Sequence, residues 1–200
     1  MKHLLTFVLA LSICNTNSYS KEIIEKMDSD IIDVNVQNNN TFQIETDPIA
    51  WAMGGGSIHG AYNFSRHRFQ IGLAFLTLPE GLQENDGITE NFKSVSIKYD
   101  YFFNNREDNG WFTGSTIDLL FWEYEDEYNQ KIKTESVNLG IRAGYKYVPF
   151  DSNSSLGGLY MTPWIGVSFM MNNDDLEFES GIYERSPIKV FPTIHIGWEF

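Results

Sequence analysis

Two hundred residues suit one domain, and a formal charge of −13 excludes nucleic acid as a partner. No apolar run reaches the roughly eighteen residues that a membrane-crossing helix needs. Mean hydropathy is −0.28, a soluble-looking value that a β-barrel shares because its strands alternate and its loops are polar. Aromatic residues, at 15%, are the one excess.

Met1 to Ser20 has the layout of a secretory signal: Lys2 and His3 in front, an apolar stretch from Leu4 to Ile13, and a small-x-small cleavage site at Ser18 to Ser20. The single cysteine, Cys14, follows Ile13, which is too large for a lipoprotein signal. Cleavage after Ser20 leaves no thiol for disulfides or metal. The expected address is the bacterial outer membrane, reached by Sec-type export. Lys21 to Asn40 is acidic and aperiodic, and reads as a flexible periplasmic lead-in with a short ordered piece around Ile31 to Val36.

Residues 41–200 then alternate with the period of two that marks strands with one apolar face. Thr41 to Pro48 is the weakest candidate, with Phe42 and Ile44 outward and Gln43 and Glu45 inward; Trp51 to Gly56 reads as a connection. Ser57 to Ser65 sets Ile58, Tyr62 and Phe64 against Ser57, His59, Ala61 and Asn63. Arg68 to Leu76 sets Phe69, Ile71, Leu73 and Phe75 against Arg68, Gln70, Gly72 and Ala74. After a polar loop to Asn91, Phe92 to Phe103 places Val95, Ile97, Tyr99 and Tyr101 outward and Ser96, Lys98 and Asp100 inward. Trp111 to Trp122 follows with Ile117, Leu119 and Phe121 outward and Thr116 and Asp118 inward. Glu123 to Lys133 reads as an acidic loop. Thr134 to Tyr147 turns Val137, Leu139 and Ile141 out and Asn138, Arg142 and Lys146 in. Gly158 to Met171 turns Ile165, Val167 and Phe169 out and Thr162, Trp164 and Ser168 in. Asn172 to Ser186 reads as a last loop. Pro187 to Phe200 closes with Ile188, Val190, Pro192, Ile194, Ile196, Trp198 and Phe200 on one face, and Lys189, Thr193, His195, Gly197 and Glu199 on the other. Phe191 is the bulky exception on the polar face.

Parity settles the weak strand. An exported chain enters from the periplasm and the last strand ends there, so an ascending strand must precede Ser57, and small bacterial barrels have an even number of strands, about eight at least. The expected fold class is therefore all-β: an eight-stranded antiparallel up-and-down transmembrane β-barrel. Its longer loops, after Leu76, Trp122 and Met171, lie outside. Aromatics from Tyr62 to Phe200 form the periplasmic girdle, and Phe75, Phe121, Trp122 and Phe169 the opposite one. Pro163 and Pro192 interrupt the last two strands and predict a bulge or local break. A soluble sandwich or lipocalin-like barrel would reverse the two faces.

Asp47-Pro48-x-x-Trp51-Ala52, Gly56-Ser57-Ile58-His59-Gly60-Ala61-Tyr62, Lys98-Tyr99-Asp100-Tyr101-Phe102, Gly158 to Trp164 and the ending Phe191 to Phe200 carry a resemblance. Over residues 47–200 the chain resembles a family of small bacterial outer-membrane barrels without assigned activity, of the OmpA and OmpX type. The resemblance implies fold and compartment and no activity.

Lys98, Asp100, Asp118, Arg142, Lys146 and Glu199 point inward and predict an ion-pair network filling a narrow lumen. Ser57, His59 and His195 are the candidates for acid–base or hydrolytic chemistry, with the two histidines at similar heights. No motif of a lipid A acylase or deacylase matches, and an inward nucleophile would not meet lipid. Glu123, Glu125, Asp126, Glu127, Asp174 and Asp175 are the oxygen-rich candidates for a divalent cation, without EF-hand spacing. No cofactor is expected. The expected partners are outer-membrane lipid and lipopolysaccharide, and the barrel-assembly machinery through the strand ending in Phe200. The expected state is a monomer with a structural or surface-interaction role; a lipid-modifying enzyme is the alternative.

Overall fold

A computed structural model describes residues 40–79, 81, 83, 87–104, 109–150, 155–156, 158–179 and 181–200. The expected signal, with Cys14, and the lead-in before Asn40 lie outside them. The elements are β1 (Thr41–Thr46), α1 (Pro48–Ala52), β2 (Gly56–Phe64), β3 (His67–Thr77), β4 (Thr89–Phe102), β5 (Gly110–Glu125), β6 (Lys131–Lys146), β7 (Leu159–Met170), β8 (Leu176–Phe178), β9 (Gly181–Tyr183) and β10 (Ile188–Glu199).

Eight of these strands close a barrel in the order β1-β10-β7-β6-β5-β4-β3-β2, and β8 and β9 form a separate hairpin. Every neighbouring pair in the barrel is antiparallel, and β10 returns to β1 over Gln43↔Glu199 to Thr46↔Ile196. The weak first strand is thus real, and it is what closes the sheet. The start of β1, Phe200 and the turn at Ser65 define the lower end here; the β5–β6 and β8–β9 hairpins define the upper.

Alternation decides which face is which. Ile141 is 70% exposed and its neighbour Arg142 only 2%. The same contrast runs along β3, where Phe69, Ile71, Leu73 and Phe75 are exposed and Arg68 and Gln70 are buried. An apolar exterior around a polar interior is the reverse of a soluble barrel, and is stable only where hydrocarbon replaces water. This chain is an eight-stranded antiparallel up-and-down transmembrane β-barrel.

Three boundaries and the face of one residue differ from the sequence reading. The stretch from Pro48 is a helical turn rather than strand and connection. Asp47 caps it, its Oδ1 accepting from the N–H of Ile49 (2.8 Å) and Ala50 (3.1 Å), and Pro48 sits at its start where no N–H is missed. The acidic loop after Trp122 is mostly ladder, with β5 and β6 paired as far as Glu125↔Lys131. Cross-strand pairs explain it, since Lys131 meets Glu125 (3.1 Å) and Lys133 meets Glu123 (3.0 Å). The last loop contains β8 and β9. Trp122, expected in the outer girdle, follows its parity inward and is buried.

The two prolines behave differently. Met161 exchanges backbone bonds with Tyr147 (2.8 Å each way), so Pro163 also faces β6. Its missing donor falls opposite Tyr145, and the β6–β7 ladder lapses between Gly144↔Trp164 and the Tyr147↔Met161 bridge, without a register shift. The expected break is there, and no bulge. Pro192 leaves the β7–β10 ladder intact through Pro192↔Ile165. Phe200 N–H donates to Phe42 (2.9 Å), so the even-numbered residues of β10 face β1, which has already ended at that height.

Candidate functional site

The lumen is filled in layers, and β5 displays them in sequence. Its inward residues run from Phe112 at the bottom through Gly114, Thr116 and Asp118 to Leu120, Trp122 and Tyr124 at the top. Aromatic rings therefore bound a polar middle on both sides.

The polar middle is built around two carboxylates. Asp100 accepts from Arg68 Nε (2.7 Å), Arg142 Nε (2.8 Å) and Arg142 Nη2 (2.6 Å). Glu45 accepts from Arg68 Nη1 (2.8 Å), the Tyr160 hydroxyl (2.8 Å) and Gln70 Nε2, and meets His195 Nδ1 at 2.8 Å. Arg142 Nη2 also donates to Gln70 Oε1 (3.2 Å). Six strands supply this cluster and all its members are buried. Charges so far from water are tolerated because each oxygen has donors and each guanidinium a carboxylate. Below it, Glu199 receives Lys146 Nζ (2.6 Å), Gln43 Nε2 (2.6 Å) and the Thr41 hydroxyl (2.7 Å). Arg68 lies over the rings of Phe102 (5.4 Å) and Phe112 (5.1 Å), which close the floor.

The sequence reading placed Lys98, Asp100, Asp118, Arg142, Lys146 and Glu199 in one network. The structure divides them. Asp100 with Arg142 and Lys146 with Glu199 are ion pairs, in separate groups. Lys98 and Asp118 join neither: Lys98 Nζ lies over the Trp164 ring at 5.2 Å, and Asp118 accepts from the Thr116 hydroxyl at 2.9 Å. Glu45, Arg68, Gln70 and Tyr160, which tie the centre together, were absent from that set. Parity had already turned Glu45, Arg68 and Gln70 inward.

His59 and His195 do come together, stacked with ring centroids 4.5 Å apart. Space for His59 exists because Gly72 lies directly across on β3; a Cβ there would collide with the imidazole. Ser57 is not part of that pair. Its Oγ accepts from the Asp47 N–H (2.8 Å), which makes it a brace for α1. No hydrogen bond joins Ser57 to either histidine among the described residues.

The upper mouth carries an apolar plug. Ile88, Leu120, Trp122, Tyr124, Met170, Phe178 and Tyr183 are all buried together, with Leu176 and Ile132 against them. Two of these, Phe178 and Tyr183, come from the β8–β9 hairpin, which folds down into the opening. Arg185 is buried beside it, its guanidinium 5.7 Å from the Tyr124 ring centroid.

The acidic candidates are spread over this rim. Glu123 and Glu125 pair with Lys131 and Lys133. Asp126 Oδ1 accepts from the N–H of Tyr128 (3.0 Å) and Gln130 (2.8 Å), shaping the turn, and Asp175 Oδ1 from Arg185 N–H (3.3 Å). Among the described residues no three His, Cys, Asp or Glu side chains converge as a metal site.

Fold and filled lumen together define the class: a small β-barrel of the outer-membrane type. No family model and no curated protein matches the chain. Among solved structures it is similar to Neisserial surface protein A (NspA), with 10% identity, 80% of this chain and 97% of that one covered, and a TM-score of 0.54. Ail, the attachment invasion locus protein of Yersinia pestis, matches with 12% identity over the same shares and a TM-score of 0.41. At such identities the likeness concerns the fold alone.

Proposed function

We propose that the protein is a monomeric outer-membrane barrel with a structural or surface-interaction role, neither conduit nor catalyst. One observation carries this reading: the lumen is closed twice, by the ionic middle with its aromatic floor and by the apolar plug, while the β5–β6 hairpin rises charged above the apolar belt. A closed lumen argues against conduction, and Ser57 engaged with Asp47 argues against hydrolysis. The upper end is then extracellular, and the strand ending in Phe200 is the one presented to the assembly machinery in the periplasm.

The partner that suits the rim is lipopolysaccharide. A concavity of about 770 Å³ on the outer face is lined by Phe75 and Phe121, with Lys93, Lys131 and Lys133 and the carboxylates Glu123, Glu125 and Glu135 at and above that level. Apolar rings below a mixed row of cations and carboxylates match acyl chains below phosphates and the divalent cations that bridge them. Planar-bilayer recording should show no stable openings. Native mass spectrometry of the purified barrel should retain lipopolysaccharide, and Lys93→Glu with Lys133→Glu should strip it. Large steady conductance, or retention unchanged in that variant, would refute the respective halves of the proposal.

A further inference from the structure

β1 stops at Thr46, whereas β10 continues upward for eight residues beyond its last partner, Ile196. Between β10 and β2 the wall is filled by α1, a single helical turn. The β1-facing backbone groups of Val190 and Ile194 have no hydrogen-bond partner among the described residues, and Pro192 between them has no N–H to offer. The outward side chains here, Ile188, Val190, Pro192 and Ile194, pair with Phe169, Val167, Ile165 and Pro163, so the edge lies at hydrocarbon depth. Unsatisfied backbone facing lipid is costly, and irregular backbone at that depth is tolerated where it lines a cavity.

The lumen behind this edge holds space. Phe191 points inward yet is 40% exposed, and Trp164, Ser168, Gly140 and Lys189, also inward, are half-buried rather than packed. The residue directly across from Phe191 is Gly166. The plug closes this space above, and the ionic middle closes it below. The side remains. On the outer face, an apolar groove of about 490 Å³ lined by Ile44, Trp51, Ile58, Leu159, Ile196 and Trp198 runs up to α1. The helix itself is tethered at Asp47, through the Thr193 hydroxyl (2.5 Å) and Ser57 Oγ (2.8 Å), and at Trp51, whose Nε1 donates to the Thr46 hydroxyl (2.6 Å).

We propose that the wall between β10 and β2 is a lateral portal through which an acyl chain from the surrounding bilayer enters the lumen and lies against Phe191 and Trp164. The inference rests on the transmembrane reading above. An acyl chain is favoured over a strand from a second copy because Pro192 removes a donor from the middle of the edge, which disfavours strand addition. At the inner end, Arg142 Nη1 and Trp164 Nε1 are buried without a partner. They give a free carboxylate a landing point that an esterified chain lacks.

The test is photolabelling of the full-length barrel in vesicles that carry either a phospholipid or a free fatty acid with a diazirine on its acyl chain, with adducts mapped by mass spectrometry. Adducts on Phe191, Trp164 or Ser168 are expected beside those on Ile141 and Val167, and the arm that yields them identifies the source. Ser168→Phe, which fills the space, should lose the lumen adducts and keep the outward ones. Adducts on Ile141 and Val167 alone would overturn the portal while leaving the barrel in its membrane. Absence of adducts on Ile141 and Val167 would instead overturn the transmembrane reading. Disulfide-linked dimers of Val190→Cys would overturn the portal in favour of pairing between copies.

Discussion

The two halves of the lumen are sealed by different physics. The lower half is ionic: from four strands, Arg68 bridges Glu45 and Asp100, and Arg142 shares Asp100. The upper half is greasy: Trp122, Tyr124, Met170, Phe178 and Tyr183 pack as any small core does. In the ionic half, removing one partner strands the rest in a place water cannot reach. In the plug, removing one ring leaves a cavity near bulk water, and neighbours can relax. Specificity of closure thus sits low in the barrel, and tolerance sits high.

The sharpest way to break this contrast is Asp100→Ala, which leaves Arg68 and Arg142 without their shared carboxylate. It should destabilise the barrel by about 3–5 kcal/mol, read as a lower urea midpoint in lipid or a lower temperature for loss of the compact form on gels. Met170→Ala in the plug should cost less, about 2–3 kcal/mol by the same assay, and should leave bilayer conductance at baseline because the ionic layer still seals the lumen. Equal losses from the two variants would erase the distinction. Gly72→Ala adds a methyl where the His59 imidazole lies, and about 1–3 kcal/mol of overpacking is expected, with the His59 ring resonance displaced. Lys133→Ala, outside both halves at the exposed Glu123 pair, should leave the urea midpoint unchanged. A lowered midpoint there would mean that the β5–β6 hairpin supports the plug from outside.

Much of the fold was legible because the signal was local. Period-two alternation assigns the face of each residue without reference to any other strand, so Ile141 outward and Arg142 inward could be read directly. Parity of strand direction even recovered β1, which has little pattern of its own. Local signals misled where the next-strand partner mattered. The acids after Trp122 look like a loop in isolation, and become strand once Lys131 and Lys133 stand opposite. Trp122 was assigned by residue type to a girdle when its place in the alternation already turned it inward. Pro192 looked like a defect, yet it lies on an edge that has nothing to bond.

The candidate site was legible as a set of residue types and illegible as a set of contacts. Inward charges follow from alternation alone, and so does the nearness of His59 and His195, since their strands flank β1. Which acid meets which base depends on barrel circumference and stagger, and these bring Glu45 of β1 across to Tyr160 of β7 and to Arg68 of β3. Alternation in the chain thus determined the solvent on each side of the wall, because a strand has only two faces. Closure of the sheet decided the pairing inside, the depth of the plug and the gap beside β10, because those depend on distances between strands far apart in the chain.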